Sequence, residues 1–512
     1  MRKGWALCAA AVAALAALGP VRDPDLWWHL SAGRFLRETL AIPRADWLSH
    51  TMAGAPWVDF EWLAQAVFYG AWQAGGLAGL WGLKTLLFAA AAWAFWRLLG
   101  EELPVESRAA GLAAWAACMI PRADLRVELF SNIAFLVLLL GVRRLRGAGR
   151  GLLFGTAALF ALWANLHAGF AAGLLLLLLH AAGEALDRRG GRALLLLSAA
   201  LAGLAGTLLN PYGLGLYSLL VSHAAEGAAI ARLIQEWGPM RPGRLVHWPA
   251  FLLMAAAAAA FIRGREKAST GAWLAAGVFG LAALLHARFI PYFAALAVPL
   301  VVPILRPRLC AGLIASCAAL ALWAAPPGRL FDDVYRPSRA AAFLEKHPDM
   351  LAKRLYNEWG WGGWLGFRFG PELKVFQDGR YLFHPLFVEA AEAARTPEGW
   401  GGFLDRYGIE TAVVENSPLM RTMTRLYPDG SQREFRRPFF IEYFPRKDWA
   451  LLHFDAKALV FARRSAFPPE SIAPLEYRLL RPRDEEALAD ALERGEVDRK
   501  ALEAERRRFA AD

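Results

Sequence analysis

About eleven apolar segments follow one another through the first 325 residues of the chain, and they constrain the fold more than any other feature. A helix of about 20 apolar residues spans the hydrocarbon core of a bilayer. With 57% hydrophobic and only 20% charged residues, the chain is predicted to be a mainly α, polytopic membrane helical bundle. The segments lie near residues 4–20, 77–98, 108–120, 131–142, 151–165, 168–184, 193–210, 248–263, 270–286, 289–305 and 309–325.

The third to sixth segments are shorter than a perpendicular span needs, so we expect them to extend into flanking residues or to pair as broken helices. Arginine is concentrated in alternate loops, near residues 143–150, 188–192, 263–267 and 306–308. Positively charged loops favour the cytoplasmic side, so these loops and the N-terminus are predicted to be cytoplasmic. The net charge of +11 is therefore assigned to contact with the lipid bilayer, and nucleic acid is not expected as a partner.

The opposite, outer loops then receive nearly all the unusual polar residues. The first of them, residues 21–76, is large, and its sequence indicates a surface helix at 26–40, a turn-rich stretch at 43–56 and a second helix at 59–72. The whole of 1–325 is predicted to form the membrane domain.

The C-terminal part of the chain changes to a water-soluble composition. Residues 326–480 are predicted to form a small extracytoplasmic α/β domain with a helix at 339–347, and residues 481–512 a charged, solvated helical tail. The β-like runs of this domain lie at 374–377, 411–414, 450–454 and 458–462.

Two carboxylates, Asp23 and Asp25, follow directly on the first apolar segment, with His29 and the indole pair Trp27 and Trp28 close behind. Acidic side chains are costly inside lipid, so a cluster at its edge indicates a function. Asp23 and Asp25 are candidates for a catalytic base or for metal ligands, and His29 for substrate contact. The alternative is an anchor at the membrane interface, where tryptophan is favoured in any case.

Arginine side chains in the outer loops are candidates for binding a phosphate. Arg122 and Arg126 lie one turn apart if their segment is helical, and would then form a bidentate clamp with help from Arg288. For each arginine, contact with a lipid headgroup is the alternative.

Asn165 and His167 interrupt two apolar runs and are candidates for substrate binding, although a lone intramembrane histidine is usually a contact between helices. Glu236 lies beside Trp237, as a carboxylate beside an aromatic platform for a sugar would. The alternative is a solvated glutamate next to an interfacial tryptophan.

The predicted outer domain and the first loop contain further candidates. Asp378 and Arg380 follow a β-like run in a turn that would direct them towards the membrane site, with a structural ion pair as the alternative. Asp46, His50 and Glu61 are candidates to bind an acceptor or a cation, while ordinary loop capping explains Asp46 equally well.

Motifs spread over most of the chain share one pattern of acidic, aromatic and amide side chains. They are Asp23-Pro-Asp-Leu-Trp-Trp-His-Leu-x-x-Gly33, Pro43-x-x-Asp46, Trp57, Glu61-Trp-Leu, Trp163-x-Asn-x-His, Asn210-Pro-Tyr-Gly and Asp378-Gly-Arg. These motifs resemble those of a family of uncharacterised bacterial multipass membrane proteins, and more remotely those of the class C (GT-C) glycosyltransferases.

The GT-C resemblance implies an integral protein of the bacterial cytoplasmic membrane that transfers a sugar from a polyprenyl-phosphate-linked donor to a glycan, lipid or protein acceptor in the envelope. It implies inversion at the sugar carbon and a catalytic aspartate near the exit of the first helix, which here is Asp23 or Asp25. The acidic pair of some branches is split by Pro24 in this chain. No cofactor is required by the resemblance, although a divalent metal, Mg or Mn, serves some members.

Two other functions fit the same sequence. A non-catalytic scaffold or glycan-binding protein for envelope assembly would use the acids structurally. A transporter ranks behind it, because transporters place ionisable groups near mid-bilayer and here only Lys84 and His180 lie well inside apolar runs.

Overall fold

The computed structural model describes residues 2–143, 150–221, 237–264, 268–324 and 329–511. Parts of two arginine-rich loops, 144–149 and 265–267, lie outside these ranges. The chain forms two compact units. The first, here the helical unit, comprises Met1–Arg44 and Trp57–Asp332, and the second, the α/β unit, comprises Ala45–Pro56 and Asp333–Asp512.

Helices cover most of every predicted apolar segment. They are α1 (Arg2–Ala17), α2 (Leu26–Thr39), α3 (Trp62–Leu98), α4 (Val105–Met119), α5 (Glu128–Arg143), α6 (Arg150–Leu166), α7 (Phe170–Leu186) and α8 (Gly190–Thr207), followed by helices Trp248–Gly264, Thr270–Leu285, Ile290–Val301 and Pro307–Ala324.

Among the described residues, four helical stretches are long and apolar enough to cross a membrane, namely Trp62–Leu98, Gly190–Thr207, Leu245–Gly264 and Ala287–Ile304. Shorter apolar helices accompany them at Gly4–Ala17, Gly151–Leu166, Phe170–Leu186, Thr270–Leu285 and Arg308–Ala324. The count of about eleven spans and the orientation of the chain stay predictions.

The two helices predicted in the first loop are present as α2 and the first part of α3. Helix α3 is broken at Gly75 and Gly76, where Gly76 has a φ of 55°, so the surface helix and the following apolar helix are separate pieces. Helix α2 packs closely on the first piece: a Cβ at Gly33 would lie 2.4 Å from the carbonyl oxygen of Gln65. This approach brings the start of α2 beside the start of α3.

The α/β unit contains a four-stranded sheet and a hairpin within the described residues 329–511. The strands are β1 (Leu355–Asn357), β2 (Thr411–Glu415), β3 (Met420–Leu426), β4 (Gln432–Pro438), β5 (Trp449–Phe454) and β6 (Ala458–Arg463). The sheet has the order β1-β2-β6-β5, with β1 parallel to β2 and the other pairs antiparallel, and β3 pairs with β4 in the hairpin.

Helices surround this sheet, and aromatic side chains such as Phe376, Trp400 and Phe461 fill its core. The helices are Ser338–Lys346, Pro348–Leu351, Trp359–Phe369, His384–Ala393, Pro397–Arg406, Phe440–Tyr443, Pro469–Ile472, Glu485–Glu493 and Arg499–Ala511.

Three of the four predicted β-like runs are strands, because β2, β5 and β6 are almost continuously buried and apolar. The fourth prediction, 374–377, is wrong as a strand: it contributes only an isolated bridge from Val375 to Ser49. Strand β1 and the hairpin were not predicted.

The C-terminal tail forms two helices that belong to the α/β unit. Asp490 binds Arg433 of the hairpin at 3.0 Å, and Glu505 accepts hydrogen bonds from three consecutive backbone N–H groups at residues 478–480. Leu502 is buried. These contacts hold the tail against the unit, while most of its other residues are exposed or half-buried.

Candidate functional site

Charged and imidazole side chains from separate segments of the helical unit meet in one cluster, here called the polar cluster. The segments are the stretch after α1, the starts of α2, α3 and α5, the link between α6 and α7, and the residues before helix Ile290–Val301. The cluster comprises Asp23, Asp25, His29, Asp59, Glu61, Arg122, Arg126, Glu128, His167 and Arg288.

Asp23 is the acid that follows α1, and it forms a two-pronged ion pair with Arg126. The Nε of Arg126 lies 2.7 Å from one Asp23 oxygen, and Nη2 lies 3.3 Å from the other. The backbone N–H of Asp25 also donates to Asp23 at 3.1 Å. The Asp23 side chain is only 4% exposed, so this pairing places a guanidinium against a buried acid.

The other two predicted phosphate-binding arginines share a different carboxylate. Glu128, the first residue of α5, accepts from Arg122 Nε at 2.9 Å and lies 3.4 Å from Nη2 of Arg288. The guanidinium of Arg288 also lies 4.5 Å from the ring centre of Trp237.

The prediction that Arg122 and Arg126 form a clamp one helical turn apart is therefore wrong. A 3-10 turn ends at Arg122 and α5 begins at Glu128, so the two arginines lie on a bent link instead of on one helix face. They turn to different acids, yet both remain in the polar cluster.

Glu61 lies between two histidines that come from distant parts of the sequence. One carboxylate oxygen is 3.9 Å from Nε2 of His29, and the other is 4.0 Å from Nε2 of His167. All three residues are buried. At these distances a slight side-chain adjustment brings each pair within hydrogen-bond reach.

Burial is the main reason why the pKa of Glu61 is raised well above its usual range. The negative charges that add to this effect belong to Asp59, Asp25 and Glu128. The positive charge of Arg288 acts in the opposite direction. The balance favours a neutral carboxylic acid at this position.

Burial also lowers the pKa of His29 well below its usual range, and the charges of His167 and Arg126 lower it further. His29 is therefore a neutral imidazole. Its ring stands edge-on to Phe68, with 5.9 Å between the ring centres.

Asn165 is used fully by the helical unit itself. Its amide oxygen accepts from the indole N–H of Trp62 at 2.7 Å, and its amide nitrogen donates to the carbonyl oxygens of Ala161 and Leu209. Asn165 therefore joins the end of α6 to the start of α3 and to the residues that follow α8. These contacts give Asn165 a structural role, and its contact with substrate stays a prediction.

The Asn210-Pro-Tyr-Gly motif is a turn beyond the end of α8. The Asn210 amide nitrogen donates to the carbonyl oxygens of Thr207 and Gly213. The hydroxyl of Tyr212 donates to the carbonyl oxygen of Pro43 and accepts from the backbone N–H of Asp59. The motif therefore holds the first loop in place.

Asp378 and Arg380 lie in the α/β unit, where their side chains are 0% and 1% exposed. Arg380 binds Asp378 at 2.8 Å and Asp46 at 2.6 Å. This is the structural ion pair that the sequence left open as the alternative, because neither side chain is presented to a ligand. Glu236, the remaining predicted contact, lies outside the described residues.

No three His, Cys, Asp or Glu side chains of the described ranges come together in a way that would hold a metal ion. Both oxygens of Asp23 already accept from Arg126, and one also accepts from the Asp25 N–H. A guanidinium in this position competes with a divalent cation, so the arrangement does not fit Mg or Mn.

Two acids, Glu128 and Glu61, organise the cluster more than the sequence indicates. Glu128 received no role, although an acid at a helix start close to two arginines is a signal for an ion pair. Glu61 was singled out only as one of three loop candidates. Nothing in the sequence indicates that it lies between His29 and His167, because that proximity depends on how α2, α3 and the α6–α7 link pack.

The fold is similar to that of the oligosaccharyltransferase of Archaeoglobus fulgidus. Its apo form is 11% identical with a TM-score of 0.51, and its form tethered to an acceptor peptide containing the NVT sequon is 13% identical with a TM-score of 0.52. Each match covers 85% of this chain and 74% of that one. The chain thus has a GT-C-like fold.

ArnT from Cupriavidus metallidurans in the apo state matches with a TM-score of 0.37 and 14% identity, over 91% of this chain and 99% of that one. No protein-family model matches the chain. No curated protein matches it either.

Proposed function

We propose that this chain, whose fold is GT-C-like, is an integral membrane glycosyltransferase. It transfers a sugar from a polyprenyl-phosphate-linked donor to an envelope acceptor on the outer face of the bacterial cytoplasmic membrane. The observation that carries the proposal is the polar cluster, in which the acid after the first helix pairs with Arg126, while Arg122 and Arg288 pair with Glu128 of the same cluster. Sugar transfer from a lipid phosphate needs this combination of a base and cations.

In this mechanism Asp23 or Asp25 takes the proton of the acceptor hydroxyl as the oxygen attacks the sugar carbon. The bond to the phosphate breaks on the opposite side, with inversion, and the arginines stabilise the negative charge on the departing phosphate. Arg126 holds Asp23 in the resting protein. A phosphate that draws Arg126 to itself would release the Asp23 carboxylate to act as a base.

The second candidate is a non-catalytic scaffold or glycan-binding protein of the envelope. It is favoured by the ion pairs themselves, because Arg122, Arg126 and Arg288 each already bind a carboxylate. In that case the same acids stabilise the helical unit and take no part in chemistry.

Substitution of Asp23 or Asp25 by Asn separates the two candidates. In cells that lack the native chain, we expect complementation by Asp23→Asn or Asp25→Asn to lower transfer by about 10²- to 10⁴-fold, the usual contribution of a general base. The measurement is mass spectrometry of envelope glycolipids and glycans, with membrane levels of each variant quantified.

Glu345→Gln is the matched control, because Glu345 is a half-exposed acid of the α/β unit that pairs with Arg368. It should leave the glycans unchanged. Native glycans in cells that carry well-inserted Asp23→Asn and Asp25→Asn chains would support the scaffold and contradict transfer.

A further inference from the structure

The group formed by His29, Glu61 and His167, here called the Glu61 relay, has no part in the mechanism above. Its members come from α2, from the residue before α3 and from the link between α6 and α7. The imidazole nitrogens face the two oxygens of one carboxyl group, at 3.9 and 4.0 Å. Buried polar groups arranged around one carboxyl group in this way call for an explanation beyond packing.

The hydrogen-bond partners of His167 fix its proton. Its Nδ1 accepts from the backbone N–H of Gly169 at 3.0 Å and lies 2.7 Å from Oγ of Ser131. In the neutral form of the ring the proton therefore lies on Nε2, which is the atom that faces Glu61. This nitrogen lies 4.0 Å from one oxygen of Glu61, and a protonated nitrogen does not suit a metal ion.

A neutral Glu61 then has one hydroxyl to donate, and the nitrogen on its other side is Nε2 of His29. If Nε2 of His29 accepts, the proton of that ring lies on Nδ1. Nδ1 of His29 is buried, and it has no hydrogen-bond partner among the described residues. The relay thus ends in an N–H donor that the protein itself does not use.

The charged groups around the relay are those of the proposed transfer site. Facing Glu61 are Asp25 from the residue before α2, Asp59 from the segment before α3, Glu128 from α5, and Arg288. Facing His29 are His167 and Arg126. Arg126 and Arg288, two of the cations of the proposed site, therefore act electrostatically on members of the relay.

We propose that the Glu61 relay is a phosphate-binding element in which Glu61 is a positioning residue. The Glu61 carboxyl group holds His29 so that Nδ1–H donates to the phosphate of the lipid-linked donor. This inference rests on the proposed function, because it takes the phosphate to be that of the donor.

The relay makes phosphate binding depend on pH. At a pH below its raised pKa, Glu61 is neutral. In that state it positions His29 and does not repel the bound phosphate. As the pH rises through that pKa, Glu61 becomes an anion beside the phosphate, and the two repel each other. Affinity for a phosphate is thus highest at the acidic side and falls as the pH increases.

The test measures binding of polyprenyl phosphate to the purified full-length chain in detergent micelles between pH 5 and pH 9. Wild-type affinity should fall with rising pH more steeply than that of Glu61→Gln. Glutamine can donate to His29 and accept from His167 but cannot ionise. The Glu61→Gln variant should therefore bind polyprenyl phosphate at acidic pH as tightly as wild type does, and its affinity should fall less steeply as the pH rises. Titration of the phosphate itself is common to all variants.

Two further variants separate positioning from charge. His29→Ala removes the donor and should weaken binding at every pH by about tenfold or more. Glu61→Ala should weaken binding of polyprenyl phosphate to the same extent, whereas Glu61→Gln should restore that binding. His180→Gln is the control, because His180 is another buried histidine of the helical unit, outside the polar cluster, and its curve should match wild type.

Parallel curves for wild type and Glu61→Gln would overturn the relay and leave the proposed function in place. Absence of polyprenyl phosphate binding in every variant, wild type included, would overturn the lipid-phosphate donor and the relay with it. Inorganic phosphate and phosphatidylglycerol are run in parallel. Equal, Glu61-dependent binding of phosphatidylglycerol would assign the element to a membrane phospholipid and contradict the donor.

Discussion

Arg380→Leu is expected to destabilise the α/β unit by about 3–5 kcal/mol, because it leaves two buried carboxylates without their cation. Asp46 and Asp378 are both fully buried, and each binds the Arg380 guanidinium. Asp46 also accepts from the hydroxyl and the backbone N–H of Ser49. The substitution should therefore loosen the segment Ala45–Pro56 as well as the unit around it.

Thermal unfolding of the purified full-length chain, with limited proteolysis to locate the cleavage, measures this effect. Arg368→Leu is the matched control, since Arg368 forms an exposed ion pair with Glu345 and should cost no more than about 1 kcal/mol. The triple variant Asp46→Asn, Asp378→Asn and Arg380→Met removes all three charges and should recover much of the loss. Equal unfolding of Arg380→Leu and Arg368→Leu would contradict a structural ion pair.

Arg126→Gln is expected to reduce sugar transfer by about 10²- to 10³-fold, the usual cost of removing one group that stabilises transition-state charge. Arg126 is the guanidinium that binds the acid after α1, and its side chain is 20% exposed, which leaves it within reach of a ligand. Arg126→Lys keeps the charge but not the two-pronged geometry, and should give an intermediate rate.

Transfer in isolated membranes, normalised to the amount of folded chain, is the measurement for Arg126. Arg97→Gln is the matched control, because Arg97 lies in the last turn of α3 and pairs with the exposed Glu101. We expect it to match wild type. A fully active Arg126→Gln would exclude this arginine from the phosphate site.

Much of the helical unit is predictable from the sequence, because apolar runs in a membrane have few alternatives to a helix. The segments at 77–98 and 248–263 illustrate this, and both are helices in the structure. The same reasoning finds β5 and β6, whose apolar residues are continuous. It fails for the hairpin, because β3 and β4 are polar on both faces and carry no apolar alternation.

The candidate site is predictable only in part. Asp23, Arg126 and His29 were selected because polar residues beside apolar segments are unusual, and the structure brings them into one cluster. Which acid each arginine binds is set by the bend between Arg122 and Glu128, and that bend has no clear signal in the sequence. The pairing of Asp46 with Arg380 joins residues that are far apart in the chain, so the sequence does not indicate it either.

The most direct test of the account is to locate a bound lipid phosphate on the polar cluster. A polyprenyl phosphate analogue with a photoreactive group next to its phosphate would be cross-linked to the chain in membranes, and the modified peptides mapped by mass spectrometry. The account predicts labels within residues 22–29 and 122–128, which compete with unmodified polyprenyl phosphate and weaken in Arg126→Gln. Labels confined to lipid-facing positions of other helices, unchanged in Arg126→Gln, would contradict it.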